Sequence, residues 1–95
     1  MDAYESARFV FGSPNRLAVL RALQRSPDRS RGVAERVDVS RATAQRCLRA
    51  CVDRGWVARV DGDYALTPVG RRVVDRCIDL VNELDAIDAN EALLS

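Results

Sequence analysis

The side chains best suited to chemistry lie between Ser40 and Trp56, where Arg41, Thr43, Gln45, Arg46 and Arg49 alternate with Ala44, Leu48 and Cys51. The three apolar positions recur at spacings of four and three, which puts them on one narrow stripe of a helix. Ser40 is a natural N-cap for that helix, and Gly55 a natural left-handed stop. Such a helix packs along one side and offers guanidinium, amide and hydroxyl groups along the other. These groups suit phosphates and the base edges of a major groove: arginine can fork onto guanine, and glutamine can pair with adenine. The expectation is a recognition helix over residues 40–54; the alternative is an ordinary solvent-exposed, arginine-rich helix.

Other chemistries have less support. Cys47 and Cys51 lie four apart, so both thiols can face one way on the same helix. A redox switch or a soft-metal site is one reading, but two thiols do not complete a tetrahedral zinc site and no third ligand lies nearby. Packing as small hydrophobes is the expected role, with Cys51 in the core and Cys47 at its boundary. Cys77 sits further on, where it could meet a symmetry mate across a dimer. Trp56 and Tyr64 could stack on bases, yet as strand positions after the helix they are expected in the core. The chain has no His, and no nucleophile–base pair, glycine-rich phosphate loop or carboxylate pair stands out. Acid–base catalysis near neutral pH would then need a strongly shifted carboxylate or thiol. Neither an enzyme nor a cofactor or metal is expected.

Ninety-five residues make one domain with a modest core, which a dimer would help to stabilise. The net charge of +1 hides an asymmetry. Residues 1–60 hold 12 Arg against 6 acids, whereas residues 61–95 hold 3 Arg against 8 acids. A basic front and an acidic tail set a candidate nucleic-acid surface apart from something else, although charge runs are also simply solvated faces. All 15 basic residues are Arg, which suits bidentate phosphate and guanine contacts but also reflects a GC-rich genome. Asp outnumbers Glu, a bias of salt-loving organisms, while the near-neutral net charge is not that of a salt-adapted surface. The three cysteines form no CxxC and read as reduced thiols. With no signal peptide and no apolar run of transmembrane length, a cytoplasmic location and no membrane partner are expected.

The flanking elements follow from punctuation and period. Residues 3–11 suit a short helix with Tyr4, Ala7, Val10 and Phe11 on its apolar face. Gly12 ends it, and Ser13-Pro14 opens a second helix through about Gln24, lined by Leu17, Val19, Leu20 and Leu23. Ser26-Pro27-Asp28 turns the chain. Ser30 is expected to cap a short helix with Val33, Ala34 and Val37 inward and Arg29, Arg31 and Arg36 outward. Val37-Asp38-Val39 then turns tightly into Ser40, so that residues 30–54 form a helix-turn-helix. Trp56–Val60 and Tyr64–Leu66 read as strands around an Asp61-Gly62-Asp63 turn, a wing over about residues 56–66. Thr67-Pro68 opens a long helix over about 68–92. Its apolar face carries Val69, Val73, Cys77, Val81 and Leu84, joined by Val74, Ile78 and Leu80 and more weakly by Ile87, Leu93 and Leu94. That face is too wide and too long for so small a core, so part of it is expected to pair with a second copy.

The motifs carry a family resemblance. Gly12-Ser13-Pro14-Asn15-Arg16-Leu17-Ala18-Val19-Leu20-Arg21-Ala22-Leu23 resembles the opening helix of the arsenic-repressor (ArsR-like) winged-helix regulators. Val33-Ala34-Glu35-Arg36-Val37-Asp38-Val39-Ser40-Arg41-Ala42-Thr43 is similar to their helix-turn-helix. Tyr64-Ala65-Leu66-Thr67-Pro68-Val69-Gly70-Arg71 resembles the strand-to-helix exit of archaeal and MarR-like relatives. Together these cover roughly residues 9–76 and look most like the N-terminal DNA-binding domain of haloarchaeal regulators.

The resemblance implies a mainly α fold with a small β-hairpin wing (α+β): a winged helix-turn-helix with a long C-terminal dimerisation helix, spanning 1–95 as a single domain. It also implies a transcription regulator that binds double-stranded DNA sequence-specifically as a homodimer. Arg41, Gln45 and Arg46 match the positions where the family reads bases, with Thr43 nearby and Arg49 one turn on, suited to a phosphate. Arg29, Arg31 and Arg16 lie where this architecture meets phosphates. Family wings are basic at the tip; here Asp61 and Asp63 flank Gly62, leaving Arg59 as the only wing cation and implying a wing that contributes little. The dimer is expected on the first and last helices, through Tyr4, Val10, Phe11, Val74, Ile78, Val81 and Leu84. Metal-sensing members carry Cys-x-Cys before the recognition helix, or His and Asp on the last helix; those ligand sets are missing here, so inherited metal sensing is not implied. In the haloarchaeal relatives an effector domain usually follows, and this sequence ends before one. The acidic wing and tail leave a second reading, a winged-helix protein-interaction module of a transcription or replication assembly.

Overall fold

A computed structural model describes the backbone of residues 2–94 and the side chains of residues 2–91. Helix α1 (Ala3–Phe11) is capped by Asp2, whose carboxylate accepts from the Glu5 amide at 2.7 Å. Helix α2 (Pro14–Arg25) starts with Ser13 as its cap and Pro14 in its first turn, and buries Val19, Leu20 and Leu23. Then follow α3 (Ser30–Val37), α4 (Arg41–Asp53), the hairpin β1 (Val57–Val60) and β2 (Asp63–Leu66), and α5 (Pro68–Leu94). The mainly α winged-helix architecture read from the sequence is the one observed.

One cap differs from expectation. Ser30 is the first residue inside α3, and the cap position is Arg29, with no side-chain cap bond. The reason lies one residue earlier. The Asp28 carboxylate takes the Arg29 amide at 2.8 Å, and its backbone exchanges two hydrogen bonds with Tyr64, at 3.1 and 2.8 Å. The segment read as a plain turn therefore adds a one-residue bridge to the free edge of β2, and that bridge fixes where α3 begins.

The turn into α4 is made by Asp38 in the left-handed region, φ 57°. Ser40 then caps α4 by accepting the Thr43 amide at 3.0 Å, as its position demanded. The far end closes on Gly55 at φ +78°, with the Trp56 amide reaching the Cys51 carbonyl at 3.0 Å and the Gly55 amide the Val52 carbonyl at 2.9 Å. This paired closure needs a left-handed residue, which glycine supplies without steric cost. The hairpin pairs Val57 with Leu66 and Val60 with Asp63 around Asp61-Gly62, both at positive φ, the pattern whose twist matches that of the strands.

The core gathers Val10, Val19, Leu20, Leu23, Val33, Leu48, Cys51, Trp56, Val57 and Val74 from all five helices and the hairpin. Each buried Val or Leu contributes about 1.5–3 kcal/mol of transfer free energy. Helix α5 begins under Thr67, whose hydroxyl accepts the Gly70 amide at 3.0 Å and donates to the Gly55 carbonyl at 2.7 Å. Its first third completes the core through Val74. Its second half runs out of it, and every described side chain from Asn82 to Glu91 is exposed. The resulting shape is elongated, 51 × 30 × 20 Å. The side chains of Leu93 and Leu94, expected to extend the apolar face, lie outside those described.

Candidate nucleic-acid interface

Helix α4 divides as its sequence pattern requires. Ala44, Cys47, Leu48 and Cys51 are buried, while Arg41, Gln45, Arg46 and Arg49 are exposed. Among the described residues no protein group pairs with any of those four polar side chains. Thr43 is half-buried, and its hydroxyl oxygen accepts from the Ser40 hydroxyl at 2.8 Å. That bond leaves the Thr43 O–H proton free to donate outward.

Three other arginines are spent differently. Arg36 donates to the carbonyls of Ala22, at 2.5 Å, and Ser26, at 3.3 Å, and pairs with Asp28, so it ties the end of α2 to α3. Arg16 donates to the Phe9 carbonyl at 2.9 Å and lies 4.6 Å from the centre of the Phe9 ring. That contact fixes the α1–α2 corner, so the phosphate role suggested for Arg16 gives way to a structural one. Arg54 is the residue the sequence reading missed. Its side chain is only 12% exposed, lies 4.0 Å from the Phe9 ring centre and 5.4 Å from that of Trp56, and pairs with Glu5 at 3.8 Å. Phe9 and Trp56 themselves meet edge to face at 5.7 Å. Arg54 stands just before Gly55, and nothing in the periodicity of α4 marks a cation there as inward.

Of the other expected contacts, Arg31 is exposed and loosely paired with Glu35 at 3.9 Å. Arg29 reaches Asp63 of the wing at 4.0 Å, with both side chains well exposed. Arg59 is exposed and lies over the Tyr64 ring at 5.2 Å. The acidic wing thus holds one of the cations assigned to phosphate. Trp56 and Tyr64 are core residues, as their strand positions suggested.

The suggested dimer residues split as well. Tyr4 is 83% exposed, Phe11 and Leu84 are exposed, and Ile78 and Val81 are half-buried. Val10 and Val74, at 1% and 0%, are covered almost wholly by their own protomer. An apolar groove of about 500 Å³ lies between α1 and α5, lined by Val10, Phe11, Trp56, Val69, Val73 and Cys77 among others.

The two thiols of α4 form a pair. The neighbouring Cys51 thiol, helped by the positive field of Arg16 against the cost of burial, holds the Cys47 thiol below its ordinary value. The Cys47 thiol beside it, with burial, pushes Cys51 up. Burial alone raises Cys77. Among the described residues no cluster of three or more metal-ligating side chains occurs. None of their helices is long and apolar enough to cross a membrane.

The family model for the HVO_A0261 N-terminal domain matches residues 4–89. The chain belongs to this family. The family is of haloarchaeal type, as the motifs suggested, and its fold here is that of solved winged-helix regulators. The MarR family protein Rv2887 of Mycobacterium tuberculosis is 28% identical, with a TM-score of 0.78 over 90% of this chain and 67% of its own. Quinone-bound YodB of B. subtilis is 20% identical, with a TM-score of 0.76 over 87% of this chain and 96% of its own. The transcriptional regulator Tm0710 of Thermotoga maritima is 20% identical, with a TM-score of 0.65 over 90% of this chain and 66% of its own. At such identities YodB and Tm0710 bear on the fold alone. No curated protein matches the sequence.

Proposed function

We propose that the chain is a transcription regulator that binds double-stranded DNA sequence-specifically as a homodimer, with α4 in the major groove. The observation that carries this reading is the division of the arginines. Arg16, Arg36 and Arg54 are drawn into the fold, whereas Arg41, Arg46 and Arg49, with Gln45, stand side by side on α4, exposed and unpaired among the described residues. Three like charges on adjacent turns repel, an arrangement that an anionic partner offsets. In this reading Arg41, Gln45 and Arg46 meet base edges, while Thr43 and Arg49 meet phosphates. Arg31 and Arg29 approach the backbone from the start of α3, and Arg59 is the wing's contribution.

The dimer places α1 and α5 against their mates through Tyr4, Phe11, Ile78, Val81 and Leu84. Charge order favours an antiparallel pairing of the last helices. Arg71, Arg72 and Arg76 outnumber Asp75 in the first third of α5, and Asp79, Glu83, Asp85, Asp88 and Glu91 follow. Antiparallel mates set each basic segment beside the other's acidic one. Two recognition helices would then meet half-sites about 34 Å apart.

Selection of the purified protein on a random-duplex pool at two salt concentrations, with the bound fraction sequenced, tests the proposal. An enriched inverted repeat is expected. Binding without enrichment would replace base reading with nonspecific, chromatin-like binding. Absence of binding at low salt would overturn the proposal in favour of a protein-interaction module.

A further inference from the structure

We infer that Cys47 and Cys51 are a peroxide-responsive thiol pair, whose oxidation to a disulfide within α4 withdraws the helix from DNA. The DNA consequence rests on the function proposed above; the disulfide itself does not. Three observations combine. The two thiols stand four positions apart on α4, one helical turn, and both are buried on its inner side. Their access is graded: Cys47 keeps 8% of its surface, and Cys51 keeps none. Cys47 also lines a cavity of about 340 Å³ together with Phe9, Arg16, Thr43 and Arg46. A hydroperoxide can therefore reach Cys47 past a guanidinium and meets Cys51 only through it.

The chemistry balances with the hydroperoxide as the one oxidant. The Cys47 thiolate attacks the distal peroxide oxygen, the O–O bond breaks, and the alkoxide or hydroxide leaves with a proton as alcohol or water. Cys47 is then a sulfenic acid. The Cys51 sulfur attacks the Cys47 sulfur, the S–O bond breaks, and a second water departs with the Cys51 proton. Both thiols are oxidised, and one peroxide is reduced.

Geometry converts that bond into a switch. Positions four apart on a helix hold their Cβ atoms about 5–6 Å apart. A disulfide needs roughly 3.5–4.5 Å. Closure must therefore draw in the turn from Cys47 to Cys51 by about an ångström or more. That turn carries Arg49 on its outer face and follows directly on Arg46, and Leu48 within it is fully buried. The outer face of α4 is re-aimed, and its packing against the core is disturbed.

The test treats the purified chain with stoichiometric hydrogen peroxide and reads thiols by mass, helicity by circular dichroism, and affinity for a selected duplex. The expected product has lost the mass of two hydrogens, yields a peptide cross-linked between Cys47 and Cys51, and still alkylates at Cys77. It has lost helical signal and binds DNA about 5–150-fold more weakly, an ordinary allosteric coupling, with full recovery in dithiothreitol. Cys51→Ala should stop at the sulfenic acid and keep its helicity, and Cys77→Ser should behave as the parent does. Oxidation through Cys77, overoxidation of Cys47 in place of the cross-link, or a Cys47–Cys51 bond that leaves affinity unchanged would each overturn the inference. A reduced chain that binds no duplex would overturn the proposed function and the DNA consequence with it, while mass and dichroism still decide the disulfide.

Discussion

Replacing Arg46 with alanine separates base reading from mere positive charge. Arg46 is exposed and unpaired among the described residues, and alanine is the best helix former. The fold should therefore be indifferent, with stability unchanged within about 0.5 kcal/mol. A bidentate arginine–base contact is worth about 1–3 kcal/mol of discrimination. A homodimer on an inverted repeat loses it twice, so the selected duplex should be weakened by about 2–6 kcal/mol, at least roughly thirtyfold. The loss should be confined to duplexes carrying the preferred base pair, and the slope of log affinity against log salt should keep its value, because no phosphate contact is removed. Fluorescence anisotropy with the selected duplex and with single-base variants, at two salt concentrations, gives both quantities. Equal weakening of every duplex with a shallower salt slope would make Arg46 a phosphate contact. No weakening at all would remove α4 from the groove.

Arg31→Ala makes the complementary case: it should weaken all duplexes alike and flatten the salt slope by about one unit per protomer, and an unchanged slope would take Arg31 out of the footprint. Arg54→Ala should cost about 1–3 kcal/mol through lost ring contacts. Thermal melting should fall by about 4–8 °C per kcal/mol, with DNA affinity of the folded fraction unchanged; an unaltered melting curve would mean that the Phe9–Trp56 contact holds without Arg54. Leu84→Asp, on an exposed stretch of α5, should convert a sedimenting dimer to monomer and abolish preference for an inverted repeat while leaving the monomer folded; a dimer that persists would move the interface off the second half of α5.

The sequence made the local structure legible wherever one residue type decides it. Ser13 and Ser40 cap, Gly55 closes α4, and Asp61-Gly62 turns the wing, because each choice is settled within a turn of chain. The helical stripe on α4 was equally plain, since burial follows the spacing of Ala44, Leu48 and Cys51. What escaped was set by residues distant in the chain. Ser30 lost the cap of α3 because Asp28 is anchored by Tyr64, 36 positions later. Arg54 turned inward because Phe9 and Trp56 offer it ring faces and α1 offers Glu5. Val10 and Val74 were read as partner surface for a like reason: an apolar stripe wider than one neighbour shows how much surface must be covered, not which residues the protomer covers itself.

Asp28 shows how the wing can matter apart from its acidic tip. Its backbone bridges Tyr64, its carboxylate holds the Arg29 amide and the Arg36 guanidinium, and Arg36 in turn secures the last carbonyls of α2. A side chain at position 32 would run into that carboxylate, so Gly32 lets the first turn of α3 close over it. On the other side of β2, Tyr64 pairs with Arg59 of β1 and packs into the core. The wing, the α2–α3 connection and the start of the helix-turn-helix thus share one junction, and Asp63 adds an ion pair to Arg29 beside it. The cost of breaking a surface ion pair is about 0–1 kcal/mol, so the acids at the tip are not there for stability in bulk. The junction ties the end of α2, the start of α3 and β2 to one another, a role that does not require the hairpin to enter a groove.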